Sequence, residues 1–592
     1  MSSTVPTPQP APARGGLLLG LVLLATAALY VPALEGGFCY DDRWAAMGHN
    51  GDHRHPLIAE LRPLEEYFST HYWRGIAEHG VLYRPITVLS FALRHWLVGD
   101  DAVVAHLINV VLHLLATALV YGLLRGLRAR PGAAALGALV FGLHAIHGEA
   151  VVPVFGRAEL LAFCGGAGAL LLLVHGHQAR RLGRTVALVL AGGALFLGLA
   201  AKESALVWGP FAVCYAWARA RSGRRRGLWL RRLPLLELAP LIAPTVAFLL
   251  LRQQMLAALP PDVVPGADPL SNPVFAAEPS VRVLSGLTGW GLGLLLTLAP
   301  VHLSMDWGLA VLPLPATATD PAIAFGIAGA VALGAIVIGA LWAAVQCPLL
   351  FAAASAFLGF SALTSNTLFP IGTIFAERLY YAPSLGLSFA MAWAAQRLHG
   401  RTAATVGLLL AGAWLGGNAW LGTQRVSLWR DDSTLILREA AQQPRSVRLA
   451  LHAADVHAER REPIAALGHL QRAVDVAPEH APAWLQLAQM QQHLGRLKEA
   501  RLSLESGLGC AHTLSRTEEA SHRGTLALLL AGEGEHRRAL AALAACALVD
   551  LGTARARPEL AALAQRLAED PEQPATARST AQRLAERLRA CN

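Results

Sequence analysis

The sequence predicts an all-α protein: a polytopic helical membrane domain of about eleven spans, followed by a short helical-repeat solenoid. Three observations carry this reading. Only 15% of the 592 residues are charged and mean hydropathy is +0.43, whereas a soluble domain is about one quarter charged. Residues 15–423 hold one apolar run after another, each close to the ~20 residues that cross a bilayer as a helix. From about Asp431 the chain becomes Ala/Leu/Glu/Arg-rich and repeats itself with a 34-residue period.

Residues 1–14, MSSTVPTPQPAPAR, are Pro/Ser/Thr-rich and are read as a disordered tail. The apolar run after them is too long for a signal-peptide core and lacks a cleavage site, so it is read as a retained first helix. Four short basic segments, RGLRAR (125–130), RRLGR (180–184), RARSGRRRGLWLRR (219–232) and RLHGR (397–401), separate apolar runs. That placement is the positive-inside signature and assigns all four to the cytoplasm, with the N-terminus. It also accounts for the net charge of +9 and argues against a nucleic-acid partner. The seven cysteines are scattered, odd in number and without a CxxC. They imply neither a disulfide framework nor a zinc site and read as small buried hydrophobes.

With those loops inside, spans are expected near 15–34, 101–124, 133–148, 158–176, 185–201, 204–219, 233–251, 322–344, 347–366, 379–396 and 403–423. Counting the run at 284–302 as a further span spoils the parity of crossings, so it is read as re-entrant or interfacial. The C-terminal region then lies outside, on the same side as Asp41. The domain plan is a tail 1–14, a membrane domain 15–423, a linker 424–440 and a repeat domain 441–592. In the last, Ala450, Ala454, Ala466, Leu470, Ala473 and Pro478 recur as Trp484, Ala488, Ala500, Leu504 and Gly507. This is the tetratricopeptide pattern, in which small residues let paired helices approach closely. A third copy centres on Ala539, Leu543 and Cys546, offset by 39 residues. An ordinary helical bundle is the alternative. A tetratricopeptide array implies a concave surface for peptide or protein partners.

Charged clusters interrupt the apolar sequence. They are Asp41 and Asp42; Arg84; His144, His147, Glu149, Arg157 and Glu159; Lys202 and Glu203; Asp306; and Glu377 with Arg378. Parity places every one at the outer face. Ionisable groups at membrane depth cost ~2.5 kcal/mol or more each, and persist where they pair or do chemistry. One outer cavity lined by acids and bases is the economical reading. Each has a plainer one. Asp41 and Asp42 suit a solvated loop, and Lys202–Glu203 and Glu377–Arg378 suit ion pairs holding helix ends. His144 and His147, with Glu149 near, suit either a divalent metal or polar helix ends. His106, Asn109 and His113 suit interhelical hydrogen bonds.

Taken in order, FCYDDRWAAMGHN, YRPITVLSFAL, HLINVVLHLLATALV, HAIHGEAVVPVFGRAELLA, AAKES, LSMDW and FAERLYYAPSLG resemble the transmembrane and tetratricopeptide-repeat O-mannosyltransferases. TQRVSLWRDDSTL resembles the linker into that family's repeats, and the resemblance covers about residues 20–510. Ala145 stands where the family has Pro, and Ala201 where relatives have Cys; no charged position is lost. The resemblance implies the type C glycosyltransferase architecture and transfer of a hexose, mannose first, from a polyprenyl-phosphate donor to a protein Ser/Thr or glycan hydroxyl. It implies Asp41 or Asp42 as acceptor-activating base. Arg157, Lys202 and Arg378 are candidates to meet the leaving phosphate, and Arg84 and Glu149 to hold donor or acceptor. His144, His147, Glu203, Asp306 and Glu377 are supporting residues. The Ala/Arg/Gly-rich composition further suggests a GC-rich bacterium, hence an inner-membrane protein with its catalytic loops and repeats in the periplasm. No cofactor is certain, though a divalent metal fits. A non-catalytic scaffold recruiting periplasmic partners through its repeats is the alternative. A transporter would show an inverted internal repeat, which the sequence lacks.

Overall fold

The computed structural model describes residues 12–51, 53–74, 82–176, 180–222, 239–259, 268–315, 320–510 and 514–589. Among these the chain is helical apart from one hairpin, His49–Asn50 against His53–Arg54. It divides into two compact units, Met1–Leu435 and Ile436–Asn592. The N-terminal tail and the basic segment 219–232 lie mostly outside the described residues.

In the first unit, eight described helices are long and apolar enough to cross a membrane: Gly15–Glu35, Ala102–Gly126, Val154–Gly176, Arg181–Ala201, Ala239–Ala257, Pro279–Leu298, Ile323–Gln346 and Arg401–Leu428. The pair Pro131–Gly142 and Ala145–Val151, bent by 46°, makes a ninth if taken as one span. Three expected spans are shorter. Trp208–Arg221, Pro348–Ala362 and Leu385–Arg397 have 14, 15 and 13 residues, about 20 Å of helix. The run at 284–302, expected to be re-entrant or interfacial, is mostly one helix. It belongs to an unbroken 20-residue helix, Pro279–Leu298, started by a proline at its first turn, where the missing N–H costs nothing. Leu408, Leu409 and Leu410 on the last span are each 68% exposed, as lipid-facing side chains are.

The broken stretch after Gly142 is what brings charge to one place. Short helical turns, Ala145–His147, Gly148–Val151 and Val154–Gly156, replace a continuous helix before Arg157–Gly176. Each break frees backbone carbonyls that water cannot reach, and such groups need internal partners. The neighbouring Ala102–Gly126 helix supplies them from one buried face. His106 Nδ1 lies 2.8 Å from the Val152 carbonyl. The Asn109 amide donates to the Val151 and Pro153 carbonyls at 3.2 and 2.8 Å. His113 Nε2 lies 3.1 Å from the Gly142 carbonyl, and its Nδ1 2.8 Å from the Tyr381 hydroxyl. The interhelical role expected of these three residues is what the fold uses. Gly156 is required at its turn, because a Cβ there would meet the Ala150 carbonyl oxygen at 2.2 Å.

In the second unit the repeats form helix pairs: Val447–Glu459 with Pro463–Val476, Ala481–His493 with Leu497–Gly509, and Arg516–Gly532 with His536–Val549. Ala488, Ala500, Leu504, Ala527, Ala539, Leu543 and Cys546 are buried between them. A Cβ on Gly507 would stand 2.9 Å from Trp484 Cβ, so this crossing is as close as the pattern requires. A fourth pair, Pro558–Glu569 with Ala575–Arg589, follows the three read from sequence.

Candidate functional site

Asp41 and Asp42 open a single helical turn, Asp42–Ala45, just after Tyr40, which takes the left-handed φ of 53°. The turn separates the two carboxylates. Asp42 is fully buried: Oδ1 accepts from the Phe155 N–H at 2.7 Å, and Oδ2 from that of Cys39 at 3.5 Å. It therefore ties the first loop to the broken stretch. Asp41 is only half-buried. Its charge acts on Arg378 and on Tyr72, which puts it near the other polar groups.

The loop is also held from the far end of the unit. The Tyr40 N–H donates to Asp432 Oδ1 at 2.6 Å, and Arg43 pairs with Asp432 Oδ2 at 2.9 Å. The Gly37 N–H donates to the Arg430 carbonyl at 3.0 Å. Sequence reasoning assigned WRDD to a linker and missed that Asp432 clamps the residues on either side of Asp41.

Three ion pairs surround this loop. Arg378 donates its backbone N–H at 2.9 Å and its guanidinium to the buried carboxylate of Glu149, and lies 5.4 Å from the centre of the Phe155 ring. Arg84 Nε reaches Glu203 at 3.5 Å with its guanidinium 5.6 Å from the Tyr72 ring centre. Lys202 pairs with Glu159, both nearly buried. Burial alone would lower the Arg378 pKa; Glu149, Asp41 and Glu159 outweigh it and raise it. Asp41, Arg84, Glu149, Lys202 and Arg378 are thus brought into one charged constellation, together with Glu159 and Glu203.

Several expectations are corrected by these contacts. Lys202 and Glu203 do not pair with each other, nor do Glu377 and Arg378; each finds a partner on another element. Glu377 accepts from the Ser304 N–H, from Trp307 Nε1 at 3.4 Å and from Arg425 at 3.2 Å, beside the buried Asp306. Arg157, expected to meet a leaving phosphate, is fully enclosed. Its donors go to Asn109 Oδ1 at 3.0 Å, the Ala105 carbonyl at 2.9 Å and Ser90 at 3.4 Å, over the Phe91 ring. It fastens three helices together. His144 and His147 do not form a metal set with Glu149. His144 Nε2 lies 2.8 Å from the Thr297 carbonyl while Nδ1 accepts from the Ile146 N–H. His147 Nε2 lies 2.8 Å from the Ser384 hydroxyl. Among the described residues, a possible metal-ligand group lies elsewhere, at His49, His95 and Asp100. Arg425, which the sequence reading omitted, had a signal: a lone arginine near the end of an apolar run.

Burial raises the Asp42 carboxyl from the ordinary 3.8 to about 7, with the N–H groups of Val154, Phe155 and Cys39 opposing and Asp41 reinforcing the rise. The folded state therefore holds this proton more tightly than the unfolded state. The stability Asp42 contributes is complete below about pH 4 and is lost as pH rises through about 7. The rise from 3.8 to about 7 corresponds to about 4 kcal/mol. Heat denaturation of the solubilised chain is expected to show Tm falling between about pH 4 and 7, and Asp42→Asn to flatten that fall. An unchanged slope in the variant would remove Asp42 as its source.

No family model matches the chain. It is 26% identical over 505 residues to the human protein O-mannosyl-transferase TMTC1, covering 78% of this chain and 55% of that one. To the mouse protein O-mannosyl-transferase TMTC3 it is 24% identical over 509 residues, covering 82% and 54%. To the Drosophila melanogaster protein O-mannosyl-transferase Tmtc2 it is 32% identical over 295 residues, covering 48% and 30%. The chain spans about half the length of the first two relatives. Among solved structures, the oligosaccharyltransferase of Archaeoglobus fulgidus superposes with a TM-score of 0.38 at 14% identity, covering 70% of this chain and 55% of that one.

Proposed function

From its similarity to the human and mouse protein O-mannosyl-transferases, we propose that the chain is a membrane glycosyltransferase. It moves a hexose, mannose in the first instance, from a polyprenyl phosphate to a hydroxyl of a protein or glycan. The observation that carries this reading is the half-buried Asp41 near the Arg378–Glu149 pair, on a loop that Asp432 clamps.

In this reading Asp41 accepts the proton of the acceptor hydroxyl as its oxygen attacks the anomeric carbon. The new bond is acceptor oxygen to C1; the bond that breaks joins C1 to the phosphate oxygen. The electron pair leaves with the lipid phosphate, and attack opposite that departure inverts the anomeric centre. Arg378 meets the charge developing on the phosphate, with Glu149 fixing the guanidinium. Arg84, held by Glu203 against Tyr72, binds the donor from the other side. Asp42 positions the loop from beneath.

The test is direct. The chain is reconstituted in vesicles containing polyprenyl-phosphate [³H]mannose, and a Ser/Thr-rich peptide is supplied. Label appearing on the peptide, in the inverted configuration, is the expected result. Absence of transfer from mannosyl, glucosyl and galactosyl donors alike, to both peptide and glycan acceptors, would sink the enzymatic reading and leave the scaffold role.

A further inference from the structure

A cluster outside the constellation around Asp41 has no part in that chemistry. His49, His95 and Asp100 each offer a ligand atom within 4.8 Å of the others. They come from two stretches about fifty residues apart: the 49–54 hairpin, and the end of the Pro85–Val98 helix with the loop after it. We propose that these three side chains form a zinc(II) site that braces the loop carrying Asp41. The proposal rests on the geometry of the cluster and not on the transfer reaction.

The carboxylate is already oriented. Asp100 Oδ1 accepts from the Gly48 N–H at 3.0 Å and from Arg94 at 3.1 Å, and Oδ2 accepts from the His49 N–H at 3.1 Å. Ligating carboxylates are commonly fixed by such outer hydrogen bonds. The His95 ring is fixed as well. Its Nδ1 lies 3.0 Å from Asp100 Oδ1, and its face packs so tightly on Gly48 that a Cβ there would meet the ring at 2.4 Å. His49 is exposed, its ring centre 5.6 Å from that of His95. A tetrahedral zinc site places neighbouring ligand atoms ~3.3 Å apart. The three ligand atoms, within 4.8 Å of one another, have to draw together to close that geometry.

Two imidazoles with one carboxylate suit Zn²⁺ and not Mg²⁺ or Ca²⁺, which take all-oxygen sets. Three protein ligands leave the fourth position to water. The mechanical consequence follows from Arg94, whose guanidinium donates to Asp100 and, at 2.5 Å, to the Ala46 carbonyl that ends the turn bearing Asp42. A metal on Asp100 therefore stiffens the attachment of that turn. The plainer reading of these contacts is an imidazolium–carboxylate pair between His95 and Asp100. It needs no His49 and strengthens as pH falls, whereas metal binding requires neutral imidazoles and strengthens as pH rises.

The experiment uses the full chain in detergent, stripped with chelator and titrated with Zn²⁺ alone against a chromophoric competitor at about pH 7.5. One equivalent is expected to bind, at least tenfold more weakly in His49→Ala and more weakly at pH 6 than at pH 7.5. Zn²⁺ is expected to raise the Tm of the wild-type chain and not that of His49→Ala. Because the His49 ring is exposed, this variant keeps the hairpin. Retention of wild-type affinity in His49→Ala, absence of any bound equivalent, or binding that strengthens on acidification would each overturn the site.

Discussion

Asp41→Asn is expected to lower turnover by about 10²–10⁴-fold, the range a positioned general base supplies, while leaving the fold intact. Asparagine matches aspartate in size. The turn is closed by the backbone at this position, whose carbonyl accepts from the Ala45 N–H at 2.8 Å. The variant should therefore keep wild-type Tm and the wild-type KM for donor, with the loss confined to kcat. Asp42→Asn gives the contrast. Its carboxylate is buried against Phe155 N–H, out of reach of an acceptor hydroxyl. It should act through the loop, changing the pH dependence of stability together with a smaller fall in turnover. The outcome that reverses the assignment is equally clear. If Asp41→Asn keeps more than a tenth of wild-type turnover and Asp42→Asn is folded but inactive, the base is Asp42. The loop would then have to open to expose it.

Much of the first unit was legible because membranes allow few solutions. Apolar runs have to be helices, and polar residues within them have to find partners. His106, Asn109 and His113 announced themselves as a polar stripe at helical spacing, and the breaks at 142–157 explain what the stripe is for. Partner choice was not legible. Lys202 and Glu203 look like a pair on paper. However, Lys202 is extended, with φ −159° and ψ 140°, and successive side chains on extended backbone point to opposite sides. Glu377 and Arg378 share a 3₁₀ turn, in which neighbours diverge by about 120°. One therefore meets Arg425 and the other Glu149. Arg157 was misread because a cation in the sequence GRAEL says nothing about which carbonyls close around it. The fourth helix pair, 558–589, escaped because its Ala/Leu/Arg sequence matches the earlier copies in apolar spacing alone. Asp432 escaped because its partners, Tyr40 and Arg43, lie almost four hundred residues away.

Arg425→Met is expected to destabilise the first unit by about 3–5 kcal/mol, the cost of leaving a buried charge without its counter-ion. Glu377 is fully buried and Arg425 is 4% exposed, with their charged atoms 3.2 Å apart. Removing the guanidinium takes from the buried carboxylate a charged donor that stands in for its lost hydration, beside the Ser304 N–H and Trp307 Nε1. Glu377→Gln alone removes the carboxylate charge that Arg425 meets at 3.2 Å and should cost about as much. The double variant Arg425→Met/Glu377→Gln removes both desolvation penalties, and Gln still accepts from Ser304 and Trp307. It should recover most of the loss, so that a double-mutant cycle of denaturation in detergent gives a coupling of about 2 kcal/mol or more. Additive losses would mean the pair is not coupled as the structure has it. The cycle also bears on the site. Glu377 immediately precedes Arg378, so the pair with Arg425 fixes where the turn presents its guanidinium to Glu149. A double variant that regains stability but not turnover would place the value of this ion pair in aiming Arg378. One that regains both would make it a fastening of the fold alone.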